Sequence, residues 1–132
     1  MTKTIAATLA AATSLLVAMT SSFAGKKTAF PVTVNYAFQF ASGTIGDARA
    51  SADTNQMIGC GVTSSPTNGT GMNCWATDSA GNTATCYSYN AELVKAAQAI
   101  GNDSYIFFYF DASGFCTYLN VSGSSHYRPK AN

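Results

Sequence analysis

From Pro31 to Ser42 the chain alternates. Val32, Val34, Tyr36 and Phe38 stand against Thr33, Asn35, Ala37 and Gln39, and this period of two predicts a half-buried strand. The segment "NQMIGCGV" reads as another strand. Two later stretches have a hairpin layout: "MNCWATD" with "NTATCYSY", and "YIFFYFD" with "FCTYLNV". "GTIGDARASA" fits a strand or a loop.

The turns inside the two hairpins are near copies. Asp78-Ser79-Ala80-Gly81 and Asp111-Ala112-Ser113-Gly114 both place Asp first and Gly fourth. An Asp carboxylate at the first position closes a type I turn, and Gly at the fourth supplies the left-handed residue of a three-residue hairpin loop. Calcium would require six to eight oxygen ligands, and each loop carries one carboxylate. Turn chemistry accounts for both.

One helix interrupts the strands. Asn90 suits the N-cap and Glu92 the first turn. Leu93, Ala97 and Ile100 share a face with Val94 beside them, and Gly101 is placed to stop the helix as a C′ residue. So short a helix has to pack on the sheet to persist. The predicted architecture is an α+β or mainly-β domain: a small antiparallel sheet of hairpins with one short helix across it, stapled by disulfides.

The cysteines are Cys60, Cys74, Cys86 and Cys116. An even count in a small exported domain reads as two disulfides, and spacings of 14, 12 and 30 contain no CxxC pair that would suggest zinc. With Asp78 opposite Asn82, the first hairpin pairs Cys74 with Cys86. That register favours a Cys74–Cys86 bridge with Cys60–Cys116 as the second, and the other two pairings stay open.

Export is read from the start of the chain. Residues 1–24 combine Lys3, an apolar run from about Ile5 to Met19, and Ser22-Phe23-Ala24 before a cleavage point, the layout of a secretory signal peptide. The run is too short and too diluted by Thr and Ser for a membrane anchor. The expected organisation is a signal peptide over 1–24, one globular domain over 25–121 and a polar tail over 122–132, with no membrane span after cleavage. From Gly25 onward six positive and six negative side chains cancel, with four of the positives at the two ends. A nucleic-acid partner is not expected, because no basic face is present.

In "YIFFYF", Tyr105, Phe107 and Tyr109 fall on one face and Ile106, Phe108 and Phe110 on the other. The second set predicts a core beneath the helix, and the whole reads as a central strand. Tyr105 and Tyr109 of the first set, with Tyr118 and Trp75, are the candidate platform for stacking a sugar or other ring-bearing ligand.

Catalytic candidates are few. His126 lies in the polar terminal segment, and Asp47 and Asp53 are the acids without a turn or helix role. No phosphate loop, HExxH or GxSxG pattern occurs. No cofactor or metal is implied.

The stretches "SADTNQMIGC", "CWATDSAGN", "NDSYIFFYFDASGFCTYL" and "SSHYRPK" together resemble a group of short exported proteins of Gram-negative bacteria that carry no assigned activity. The resemblance implies export and transfers no functional residue. The sequence thus points to a secreted or periplasmic, non-enzymatic protein acting through a binding or structural surface, with a glycan or another extracellular protein as partner. The alternatives are a small secreted hydrolase using Asp47, Asp53 or His126, and a hydrolase inhibitor presenting "TSSPTNGTG" as a rigid loop.

Overall fold

The computed structural model describes residues 25–128; the expected signal peptide lies outside them. Seven strands and two helices follow in order: β1 Thr33–Asn35, β2 Phe40–Thr44, α1 Ile45–Ala50, β3 Met57–Ser65, β4 Gly69–Thr77, β5 Thr83–Ser88, α2 Ala91–Gln98, β6 Tyr105–Phe110 and β7 Cys116–Ser122. They form two antiparallel sheets, β1-β2-β6-β7 and β3-β4-β5. The class is the expected one, mainly β with disulfides, but the hairpins divide between two sheets and a second short helix joins the first.

Local chemistry explains why the hairpins form. The Asp78 Oδ1 accepts from the Ala80 and Asn82 N–H groups, and the Asp111 Oδ1 accepts from those of Ser113 and Phe115. Gly81 and Gly114 sit at φ 86° and 81°, where a Cβ would be strained. The β4–β5 register places Cys74 opposite Cys86, as the loop length dictates.

Three local expectations change. The alternating stretch from Pro31 to Ser42 is a hairpin, because the Asn35 side chain accepts from Phe38 N–H and Gln39 takes φ 52°, reversing the chain. "GTIGDARASA" ends β2 and then forms α1, capped by Thr44 Oγ1 accepting from Asp47 N–H at 3.2 Å. Helix α2 begins at Asn90 as expected, with its Oδ1 accepting from Glu92 and Leu93. It ends at a right-handed Ala99 cap, closed by Ala99 N–H to Ala96 O and Ile100 N–H to Ala97 O. Gly101 is therefore not the C′ residue; its N–H donates to Ser104 Oγ.

The inner faces of the two sheets share one core. Ile58, Met72, Cys74, Ala76 and Ala84 meet Ala41, Ile106, Phe108 and Leu119, and α2 adds Val94 and Ala97. Among the described residues only Ile106 and Phe108 are large apolar side chains buried completely, each contributing about 1.5–3 kcal/mol by burial. A core this rich in alanine gains from covalent ties.

Those ties are Cys60–Cys74 and Cys86–Cys116. The count of two is as expected; the pairing the β4–β5 register favoured is not. Cys74 has a cysteine opposite it on each neighbouring strand, Cys60 on β3 and Cys86 on β5. It bonds to Cys60, and Cys86 reaches across to Cys116 on the other sheet. The second bridge stands beside the backbone pair Tyr87–Phe115, where Tyr87 N–H donates to Gly114 O at 3.0 Å.

The segment from 122 onward, read as a tail, continues β7 through Ser122 and then docks. Tyr127 pairs with Thr28, and the Thr28 N–H donates to His126 O. Asp47 anchors the incoming N-terminal segment: its Oδ2 accepts from Phe30 N–H at 2.7 Å and from the Thr44 hydroxyl at 2.6 Å. Two glycines permit this crossing. A Cβ on Gly43 would lie 2.9 Å from Val32 Cα, and one on Gly46 2.6 Å from Arg128 O.

Candidate functional site

The four aromatic residues singled out for a ligand do not form one site. Tyr109 and Tyr118 are cross-strand partners with ring centroids 5.8 Å apart, joined by Phe107 and Phe40 on the outer face of the four-stranded sheet. Tyr105 is taken up by the docked termini, stacking on Tyr127 at 5.9 Å and meeting Phe30 edge-on. Trp75 lies on the other sheet, on β4. A strand's alternation specifies a face but not which sheet completes it.

The outer face of the three-stranded sheet is built differently. On β3, Gly59 lies opposite Trp75 and Gly61 opposite Asn73. A Cβ on Gly59 would fall 3.3 Å from the Trp75 Cζ2, and one on Gly61 3.5 Å from its Cη2. The two glycines thus meet different edges of one six-membered ring, so the indole rests against β3 where side chains are missing. On β5, Thr85 is opposite Trp75 and Tyr87 opposite Asn73. Tyr89 follows and lays its ring over Gly71, 3.0 Å from where a Cβ would stand.

Phe115 extends this face from the other sheet. The Tyr87–Phe115 bridge and the Cys86–Cys116 bond hold it beside Tyr87, with ring centroids 4.6 Å apart; Tyr89 stands 6.2 Å from Tyr87 on the other side. Phe115, Tyr87 and Tyr89 are 42%, 43% and 66% exposed, and they form an aromatic wall.

Two hollows lie on this face. One, of about 270 Å³, is lined by Thr63, Asn68, Gly71, Asn73, Tyr87 and Tyr89 among others. The second, of about 330 Å³, includes Asn73, Thr85, Tyr87 and Gly114. Among the described residues no charged one lines either hollow. The Asn73 amide and the Tyr87 and Tyr89 hydroxyls make no hydrogen bond among the described residues, so they are available to a ligand. Flat rings with free amide and hydroxyl groups suit a molecule with apolar faces and a polar rim. Tyr87, Tyr89, Phe115 and Asn73 were missed in the sequence. The signal was Gly59, Gly61 and Gly71 at same-face spacing, and it has meaning only once β3 is laid against β4.

"TSSPTNGTG" is a tight hairpin end rather than a long loop. β3 runs to Ser65 and β4 starts at Gly69. The Ser65 hydroxyl accepts from Thr67 and Asn68 N–H groups, and Ser64 bonds Thr70 across the strands. Its residues line the first hollow.

The acid and histidine candidates are each engaged locally. Asp47 is buried against Phe30 and Thr44, with the Arg128 guanidinium 3.9 Å away. It lines a hollow of about 180 Å³ with Gln56 and Arg128, to which neither Asp53 nor His126 contributes. Asp53 accepts from the Gln56 side-chain amide and from the Gln56 and Asn55 N–H groups, which holds its carboxyl below the usual range. His126 bonds Ser124 and packs on Tyr127 and Phe30. Among the described residues no group of three or more His, Cys, Asp or Glu could hold a metal ion.

The chain matches no protein-family model, no curated protein and no solved structure. Two disulfides fit an oxidising compartment. Among the described residues no helix is long and apolar enough to cross a membrane.

Proposed function

We propose that this chain is an exported, non-enzymatic binding module that takes an uncharged glycan on the outer face of its three-stranded sheet. The observation that carries the reading is the Trp75 indole, packed against Gly59 and Gly61 beside an uncharged groove walled by Tyr87 and Tyr89. Sugar rings stack on such surfaces through their C–H faces while their hydroxyls meet amides and phenols. The signal-peptide layout of residues 1–24 and the two disulfides support an extracellular or periplasmic place of work.

Trp75 is the chain's only tryptophan, so its fluorescence reports on this face alone. Titration with neutral oligosaccharides should shift that emission, and Tyr87→Ala should weaken the response at least tenfold. Saturable sugar binding that leaves Trp75 emission unchanged would sink the reading.

A second reading rests on the patch of Phe40, Phe107, Tyr109 and Tyr118. Tyr109 and Tyr118 are 41% and 46% exposed, which suits an extracellular protein partner. Tyr109→Ser with Tyr118→Ser separates the two readings: it spares glycan binding and abolishes protein capture.

A further inference from the structure

We propose that the groove takes two consecutive residues of a neutral glycan chain, with Tyr87 and Asn73 at the junction of two subsites. This rests on reading that face as a glycan site and specifies the length and path of the ligand. The two hollows, of about 270 Å³ and 330 Å³, have Asn73 and Tyr87 in common. Each has its own far wall: Thr63, Asn68 and Tyr89 for the first, Thr85 and Gly114 for the second. They follow one another along β4 and β5, where same-face positions recur every ~7 Å.

The shared residues suit a junction. An amide offers both donors and an acceptor, so Asn73 can serve hydroxyls of two adjacent sugar residues at once. It stands directly opposite Tyr87, whose ring is held between Phe115 and Tyr89. Trp75 lies opposite Thr85 of the second hollow, and its indole borders the path on the β3 side. The absence of charge from both linings selects neutral sugars over uronic acids or sulfated ones, whose charge would be desolvated without a counter-charge.

The test uses glucose-, xylose-, mannose- and N-acetylglucosamine-based oligosaccharides of one to four residues, read by Trp75 fluorescence and calorimetry on the full folded chain. The expected result is at least a tenfold gain in affinity from one residue to two in at least one series. Tyr89→Ala, a change at an exposed ring, should remove that gain, lowering two-residue affinity by more than single-residue affinity. Equal affinity for one and two residues, or an equal loss for both lengths in Tyr89→Ala, overturns the two-subsite arrangement while leaving the glycan reading in place. No binding by any member of the panel overturns both.

Discussion

The Tyr36 hydroxyl closes on both backbone groups of Thr83, donating to its carbonyl oxygen at 2.6 Å and accepting from its N–H at 3.1 Å. Tyr36 belongs to the turn between β1 and β2, and Thr83 opens β5 on the other sheet. A side chain here takes the place a further strand would occupy on that edge. Tyr36→Phe should therefore lower stability by about 1–2 kcal/mol, the net worth of two partly exposed hydrogen bonds. Denaturant unfolding should show a lower midpoint at unchanged slope.

The two disulfides should differ in what their loss does. Loops closed by residues 14 and 30 apart correspond to about 3 and 4 kcal/mol of chain entropy. Replacing Cys86 and Cys116 by Ser should cost the larger amount. It should also release Phe115 from Tyr87 and weaken ligand binding. Replacing Cys60 and Cys74 should lower the melting temperature while leaving Phe115 in place. Calorimetry on the two double variants, with a binding titration on each, separates the effects.

The platform depends on two missing side chains. Gly61→Val would drive a branched side chain into the Trp75 ring and lift it from β3. Emission of Trp75 should change, and binding should fall at least tenfold, with the far-UV circular dichroism of the sheet retained. Unchanged emission would show that the ring is not held by this contact.

Acid should weaken the fold at identifiable turns. The Asp78 carboxyl is pushed up by desolvation, but hydrogen bonds from the Asn82 side chain and from the Asn82 and Ala80 N–H groups outweigh this and hold it below the ordinary 3.8. A depressed carboxyl contributes stability that is fully present above its unfolded value and lost as pH falls through the folded one. Melting temperature should thus hold from neutrality to near 3.8 and fall below it. The advantage of wild type over Asp78→Asn should shrink in the same window; an advantage that persists in stronger acid would remove Asp78 as its source.

Asp47 should prove structural. Asp47→Ala leaves the Phe30 N–H and the Thr44 hydroxyl without the partner they now share. That should cost about 2–4 kcal/mol. Amide exchange at Thr28 to Val32 should quicken before exchange in β6 does.

What could be read from the sequence was mostly local. Asp78, Asp111 and Asn90 act through backbone groups two to four residues away, so their types and spacing sufficed. The alternation of β6 also held: Ile106 and Phe108 are in the core, and Tyr109 is outside it. The turn after Asn35 was hidden because Tyr36 and Phe38 extend an apolar alternation, although they are 57% and 73% exposed. The groove was hidden for another reason. It needs Gly59 beneath Trp75 and Phe115 brought to Tyr87 from the other sheet, and neither contact leaves a mark on neighbouring residues in the chain.

Cys74, flanked on both sides by a cysteine, sets a choice during maturation. Cys60, Cys74 and Cys86 lie opposite one another on the adjacent strands β3, β4 and β5, while Cys116 lies on β7 of the other sheet. The hairpin that closes through Asp78 sets Cys86 against Cys74 as a second, non-native partner. From a Cys74–Cys86 isomer, the native pairing is reached when the Cys60 thiolate attacks the Cys74 sulfur and expels Cys86, which then bonds Cys116. A host without a disulfide isomerase should accumulate the trapped isomer, which peptide mapping under non-reducing conditions would reveal. The yield of correctly paired protein then depends on the shuffling capacity of the cell as well as on the sequence.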